Sequence, residues 1–205
     1  MKEKDVYAEL SSIRNLMERS SKFISLSGLS GILAGIYALA GSGLGYFLIH
    51  SALGTDSGAG PFEKPLIFWQ LFMIALAVLF FSVVTACWLT IRKAKSVNEN
   101  VWNPVSRRLL AASGVPLITG GLFVLIMLFK SEYILVAPGC LIFYGLALFA
   151  GSHYTYIDVK WLGICEILLG LLALIIPGHG LILWTIGFGF LHIIYGSIMH
   201  FKYDR

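Results

Sequence analysis

Residues 161–197, WLGICEILLGLLALIIPGHGLILWTIGFGFLHIIYGS, place two apolar runs on either side of a turn made by Pro177, Gly178, His179 and Gly180. Each run, 159–176 and 181–199, is near the roughly 20 residues that a helix rising about 1.5 Å per residue needs to cross a hydrocarbon core of about 30 Å. The short turn folds the pair into an antiparallel hairpin. Four more runs precede it, at 24–50, 66–91, 109–129 and 133–150, and a second tight turn at 130–132 joins the third to the fourth. The pattern predicts an all-α membrane protein with six transmembrane helices in three hairpins.

Composition agrees, with 58% hydrophobic and 13% charged residues and a mean hydropathy of +0.82. A soluble domain needs more polar surface than this. Thirteen of the fifteen Lys and Arg residues fall on one side of the six runs. Five precede the first run, Arg92, Lys93, Lys95, Arg107 and Arg108 separate the second and third, Lys160 precedes the fifth, and Lys202 and Arg205 follow the last. Only Lys64 and Lys130 lie on the other side. The positive-inside rule then puts both termini in the cytoplasm. The net charge of +4 comes from these basic flanks, which are placed to contact anionic lipid, and gives no reason to expect nucleic acid as a partner.

Residues 1–23 form a leader ahead of the membrane domain, 24–205. Val6, Leu10, Ile13 and Met17 recur at helical spacing, with Glu3, Lys4, Glu9, Arg14, Glu18 and Arg19 on the other faces, which predicts an amphipathic cytoplasmic helix. Its five basic and four acidic residues nearly cancel, which weakens the case for a polybasic lipid anchor and leaves a stalk lying on the membrane surface, or packing on the protein's own cytoplasmic face, on a partner protein or on a second copy. Ala38, Leu39 and Ala40 imitate a signal-peptide cleavage site, but the apolar run continues through Ile49, so an uncleaved first span is expected. The loop at 51–64 is rich in Gly and Ser, and the loop at 92–106 ends in the turn-forming Asn103 and Pro104.

The sharpest constellation is in the last hairpin. Gly163, Glu166, Gly170 and Ala173 line one face of the fifth helix, and Thr185, Gly189, His192 and Gly196 one face of the sixth. Small residues let membrane helices approach closely. Folding back at 177–180 should set Gly163 against Gly196, Gly170 against Gly189, and Glu166 against His192. Glu166 then lies roughly 9 Å in from Lys160 and His192 roughly 12 Å in from His200, similar depths. A charge near the centre of a spanning helix costs about 2.5–3.5 kcal/mol on insertion scales, so the carboxyl must be neutralised or find a partner. A Glu166–His192 hydrogen bond is the expected solution. Two readings follow, a polar clasp that fixes hairpin register and a proton or small-ion site.

The first helix carries its own small-residue seam, Gly28, Gly31, Gly35, Ala38, Ser42 and Gly45. Its partner is the second helix, another hairpin, or the same helix of a homodimer. The third-fourth and fifth-sixth hairpins also match each other: Ile142, Phe143, Tyr144, Gly145 in one correspond to Ile193, Ile194, Tyr195, Gly196 in the other. Cys87, Cys140 and Cys165 have no metal or redox spacing and read as small core residues. No nucleophile with a base, Walker loop or dinucleotide fingerprint occurs, so neither an enzyme nor a cofactor is expected.

Residues 161–197 resemble the repeat of the HdeD-like family of small six-helix bacterial membrane proteins. Gly163, the run Leu168, Leu169, Gly170, Leu171, Leu172, Ala173, Leu174, the turn residues Pro177 and Gly178, and Gly189 and Gly196 carry the resemblance. It implies a multi-pass protein of the bacterial inner membrane associated with acid-stress tolerance, and carries over no catalytic residues. The leader and the long first loop depart from that pattern. The expected function is therefore non-enzymatic, stress-associated or regulatory; the alternative is a small proton-coupled transporter or ion permease built on Glu166 and His192.

Orientation is tested by single cysteines in a background lacking the native three. Impermeant reagents applied to intact cells should label cysteine at Ser57 or Ser131 and spare it at Ser96 or Asp204; the reverse pattern would invert the topology.

Overall fold

The computed structural model describes residues 27–53, 65–96 and 100–203, and the regular structure among them is entirely helical. The leader, the first three residues of the expected first span and most of the first loop lie outside the described residues. Six helices follow the six apolar runs: α1 Gly28–Leu53, α2 Pro65–Ser96, α3 Pro104–Phe129, α4 Val136–Gly151, α5 Ile157–Ile175 and α6. The last is one rod over Gly180–Tyr203, α-helical at Gly180–Trp184, π-helical at Thr185–Leu191 and α-helical again at His192–Tyr203. Five of these rods are long and apolar enough to cross a membrane by length and composition. The remaining one, α5, carries Asp158, Lys160 and Glu166 within 19 residues. By the composition of its helices the chain is a multi-pass membrane protein.

Local chemistry sets the ends. α2 runs past its apolar stretch through Lys93 and Lys95, whose charges suit the negative end of the helix dipole. Asn103 and Pro104 start α3: the Asn103 side chain accepts from the Ser106 N–H at 2.8 Å and the Ser106 hydroxyl accepts from the Asn103 N–H at 3.0 Å. Pro104 occupies a first-turn position where the missing N–H costs nothing. At the other end of α3 the Glu132 and Ser131 N–H groups return to the carbonyls of Met127 and Leu128, a Schellman closure with Ser131 in the left-handed region at φ 61°. The turn after α5 needs its glycine, since Gly178 has φ +87°.

The extensive pairings are α4 with α5, α3 with α4, α1 with α6 and α1 with α2. Two three-helix blocks result, α1/α2/α6 and α3/α4/α5, which touch where α6 meets α4 and α5. The expected hairpin seam is thereby corrected. Gly163 and Gly170 face α4, not α6: a methyl group on Gly163 would lie 2.7 Å from the Gly145 carbonyl oxygen, and one on Gly170 would lie 2.6 Å from Ile142. Gly189 and Gly196 face α1, where a methyl on Gly196 would lie 2.7 Å from the Gly28 carbonyl oxygen and one on Gly35 would lie 2.7 Å from the Gly189 carbonyl oxygen. Gly31 packs on the same crossing, its missing side chain aimed at the Gly196 Cα. Of the three partners open to the α1 seam, another hairpin takes Gly28, Gly31 and Gly35, while Gly45 meets Leu71 of α2. The physical reason is that a tight turn fixes chain continuity but not which faces meet; backbone-to-backbone contact goes to the pair of small-residue stripes that fit most closely.

The cysteines are a second correction. Cys87 and Cys165 are exposed on the outside of the bundle and Cys140 is half-buried. A thiol is apolar enough to sit on a surface that otherwise displays Leu, Phe and Val.

Gly196→Leu or Gly35→Leu should therefore lower the detergent melting midpoint by several degrees, because a side chain must force apart a pair of touching backbones. Gly43→Ala and Gly121→Ala, where an added methyl meets nothing within 4 Å, should be neutral or slightly stabilising through helix propensity. Equal losses in both sets, read by thermal denaturation, would refute the assignment.

Candidate functional site

The two helix blocks meet around one carboxyl. Glu166 projects from the buried face of α5, shared with Leu162, Gly163, Gly170 and Ala173, and is fully buried at 0% exposure. Across from it His192 begins the α-helical half of α6, immediately after the π-helical turn. The structure brings this pair together: Glu166 Oε1 is 3.4 Å from His192 Nδ1. It does not join them by the expected hydrogen bond.

Both imidazole nitrogens are engaged elsewhere. Nδ1 lies 2.9 Å from the Gly187 carbonyl oxygen, and Nε2 lies 2.8 Å from the Tyr144 hydroxyl. A carbonyl only accepts, so Nδ1 carries the hydrogen, and in the neutral ring Nε2 then accepts from Tyr144 O–H. Glu166 is left over. Its Oε1 and Oε2 are buried with no hydrogen-bond partner, and the same holds for the Tyr195 hydroxyl.

The π-helical turn explains the mismatch with an α-helical reading of the sequence. Its wider turn shifts the phase of every residue before His192 relative to those after it. Gly187, rather than Thr185, comes to face the site, and Thr185 instead bonds back to the Leu181 carbonyl at 2.7 Å. Glycine is required there by close approach: a methyl at Gly187 would lie 2.5 Å from Glu166 Oε2 and 2.7 Å from Leu141.

The two ends of the site differ. Toward the 177–180 turn lies an apolar cluster of Leu141, Ala173 and Leu183, with Leu169, Trp184 and Phe188 packed on it. Phe188 stacks on His192 with ring centres 5.7 Å apart, and Trp184 packs on Phe188 at 4.9 Å. The N-terminal end of α4 is on this side too, because Gly180 abuts Ala137. Toward the other end polar groups stand among the buried Val159, Leu162 and Met199: Tyr195, then Tyr203, whose hydroxyl donates to Asp158 at 2.9 Å, and Lys202, which pairs with Asp158 at 3.1 Å.

Of the residues singled out from sequence, Glu166 and His192 are in the site, while Gly28, Gly31, Gly35, Gly163, Gly170, Gly189 and Gly196 build the two crossings that hold its walls. Tyr144, Gly187 and Tyr195 were not anticipated as site residues. A signal for the tyrosines existed, since they hold the same place in the two matched stretches at 142–145 and 193–196. Nothing in the local composition marks a π-helical turn. Among the described residues no group of three or more His, Cys, Asp or Glu side chains could hold a metal ion. No protein-family model, curated protein or solved structure matches this chain.

The tautomer is measurable. The nitrogen-15 spectrum of histidine-labelled protein in bilayers, with His192 assigned by its loss in a His192→Gln variant, should show Nδ1 protonated and Nε2 bare in the neutral ring. Tyr144→Phe should move the Nε2 resonance and cost about 1 kcal/mol of stability. A bare Nδ1 would contradict the Gly187 contact.

Proposed function

We propose that this chain is a non-enzymatic, regulatory or stress-associated membrane protein whose working group is Glu166, which binds and releases a proton inside the bundle. The observation that carries the reading is the pair of buried carboxyl oxygens with no hydrogen-bond partner beside an imidazole whose nitrogens are already engaged. A clasp would hold the carboxyl in a hydrogen bond. This carboxyl makes none, and an ionised group so placed is costly until a proton or cation neutralises it. No cluster of ligands stands ready for a cation among the described residues, which favours the proton.

The resemblance of residues 161–197 to the HdeD-like family, with its association with acid stress, points the same way. The reading takes both termini to lie in the cytoplasm of a bacterial cell and the leader to pack on a partner or on a second copy. A second reading, a proton-coupled transporter, is favoured by one feature: the site lies where the two helix blocks meet, and sites at the junction of moving halves are a transporter habit.

Infrared difference spectra of the protein in lipid vesicles, taken between acid and alkaline buffer, should contain a carboxylic-acid carbonyl band that Glu166→Gln abolishes while folding is retained. Glu166→Leu should be more damaging than Glu166→Gln, because glutamine keeps the shape that fits against Gly187 and Leu141, whereas the branched leucine must repack there. The double variant Glu166→Leu/His192→Leu should lose less stability than the two single losses combined. Restored folding with any acid-linked phenotype still lost supports the proton site; full recovery of that phenotype supports the clasp. A wild-type spectrum without a titrating band assigned to Glu166 would overturn the reading.

A further inference from the structure

The two ends of the site are chemically unlike, and that asymmetry bears on how a proton reaches Glu166. On the side of the 177–180 turn, Leu141, Ala173 and Leu183 form a buried apolar layer backed by Leu169, Trp184 and Phe188. Thr185, beside Trp184 on α6, turns its hydroxyl back to the Leu181 carbonyl. On the opposite side hydroxyl groups follow one another. His192 Nε2 meets the Tyr144 hydroxyl at 2.8 Å. Tyr195, one helical turn beyond His192 on α6, has a buried hydroxyl with no hydrogen-bond partner. It sits within electrostatic range of Tyr144 on one hand and of Asp158, Tyr156 and Tyr203 on the other. Tyr203 donates to Asp158 at 2.9 Å and stacks on Tyr156 with ring centres 3.9 Å apart. The Asp158 and Lys202 side chains, 21% and 51% exposed, open this cluster to the surface.

We propose that Tyr195, Tyr144 and His192 conduct protons between Glu166 and the membrane face that carries Asp158 and Lys202, and that the Leu141/Ala173/Leu183 layer closes Glu166 to the opposite face. This rests on the reading of Glu166 as a proton site and adds which compartment it responds to. The transfer balances without an outside reagent. A proton entering from the Asp158 mouth bonds to the Tyr195 oxygen as the proton already there passes, through a bridging water, to the Tyr144 oxygen, whose own proton moves to His192 Nε2. The Nδ1 proton leaves for Glu166 Oε1, from which it is separated by a heavy-atom distance of 3.4 Å. Only O–H and N–H bonds form and break, and Glu166 gains one proton. Reversal resets the ring, whose Nδ1–H then returns to the Gly187 carbonyl. The ionisable side chains facing Glu166 are Tyr144 from α4 and His192 from α6, with Tyr195 behind them.

The test uses the full chain in phosphatidylcholine vesicles, with a single orientation selected by cysteine labelling. The Glu166 carbonyl band, identified by its loss in Glu166→Gln, is followed after a pH jump on one face. A jump on the Asp158/Lys202 face should change the band promptly, and a jump on the turn face should leave it unchanged until the interior equilibrates. Tyr195→Phe should slow the response at least tenfold with the same final amplitude, which a merely structural role would not do. Should Tyr195→Phe fail to fold, Asp158→Asn at the surface mouth should show a slowing of the same kind. An equally fast response from the turn face, or a wild-type rate in the foldable variants, would overturn the path. If no Glu166 band titrates even with both faces at the same pH, the proton-site reading itself has failed, an outcome distinct from failure of the path.

Discussion

Contact between glycine-bearing backbones is the constraint on which the rest of this structure depends. In a bilayer, lipid tails are as apolar as leucine, so burying leucine between helices gains little and packing must come from close approach. Here the closest approaches are reciprocal. Gly145 and Gly163 present carbonyls to each other's missing side chains across α4 and α5, and Gly28 and Gly196 do the same across α1 and α6. These crossings create the two three-helix blocks. They also determine which faces of α5 and α6 are left to meet each other.

What remains for the α5–α6 contact is polar chemistry. Had the seams paired within the hairpin, Glu166 would sit in a groove lined by hydrogens of glycine Cα atoms. Instead the glycines face other partners, and the hairpin is joined by Glu166, His192 and the apolar layer next to them. Gly187 is the exception. It faces Glu166 itself, and its carbonyl becomes available to the imidazole through the π-helical turn, which frees carbonyls that an α-helix would keep for its own N–H groups. Irregularity of the backbone is tolerated at membrane depth where other protein covers it, as α1 and α5 do here.

Much of the fold was legible because its cause is simple. Apolar length finds the helices whatever their neighbours do, so the six runs and six rods coincide to within a few residues, except where capping by Asn103 or the basic tail of α2 carries a helix beyond its apolar stretch. The pairing of Glu166 with His192 was legible from mirrored spacing about the turn. The partners of Gly163 and Gly196 were not, since a stripe of small residues states that a helix will be approached without stating by which helix. Tyr144 was out of reach for the same reason: it reaches the site from α4, and only the α4–α5 crossing brings it there. The exposure of Cys87 and Cys165 follows from a reversed inference, since in a membrane protein an apolar residue is as much at home on the outside as within.

The charge content of α5 ties these points together. A 19-residue helix with Asp158, Lys160 and Glu166 is the least suited of the six to face lipid, and it pairs most extensively with α4 while also meeting α6. Asp158 and Lys160 sit in its first turn, where headgroups and water reach them, so they cost little. Glu166 is about two turns further in and has no such outlet. Its retention there demands either a fixed partner or a gain from being able to change protonation state. The geometry supplies no fixed partner: the imidazole at 3.4 Å is neutral, with its nitrogens bonded to Gly187 and Tyr144. A carboxyl kept at this depth without a hydrogen-bond partner, opposite the apolar Leu141 of the facing helix, is what the proposed proton site accounts for.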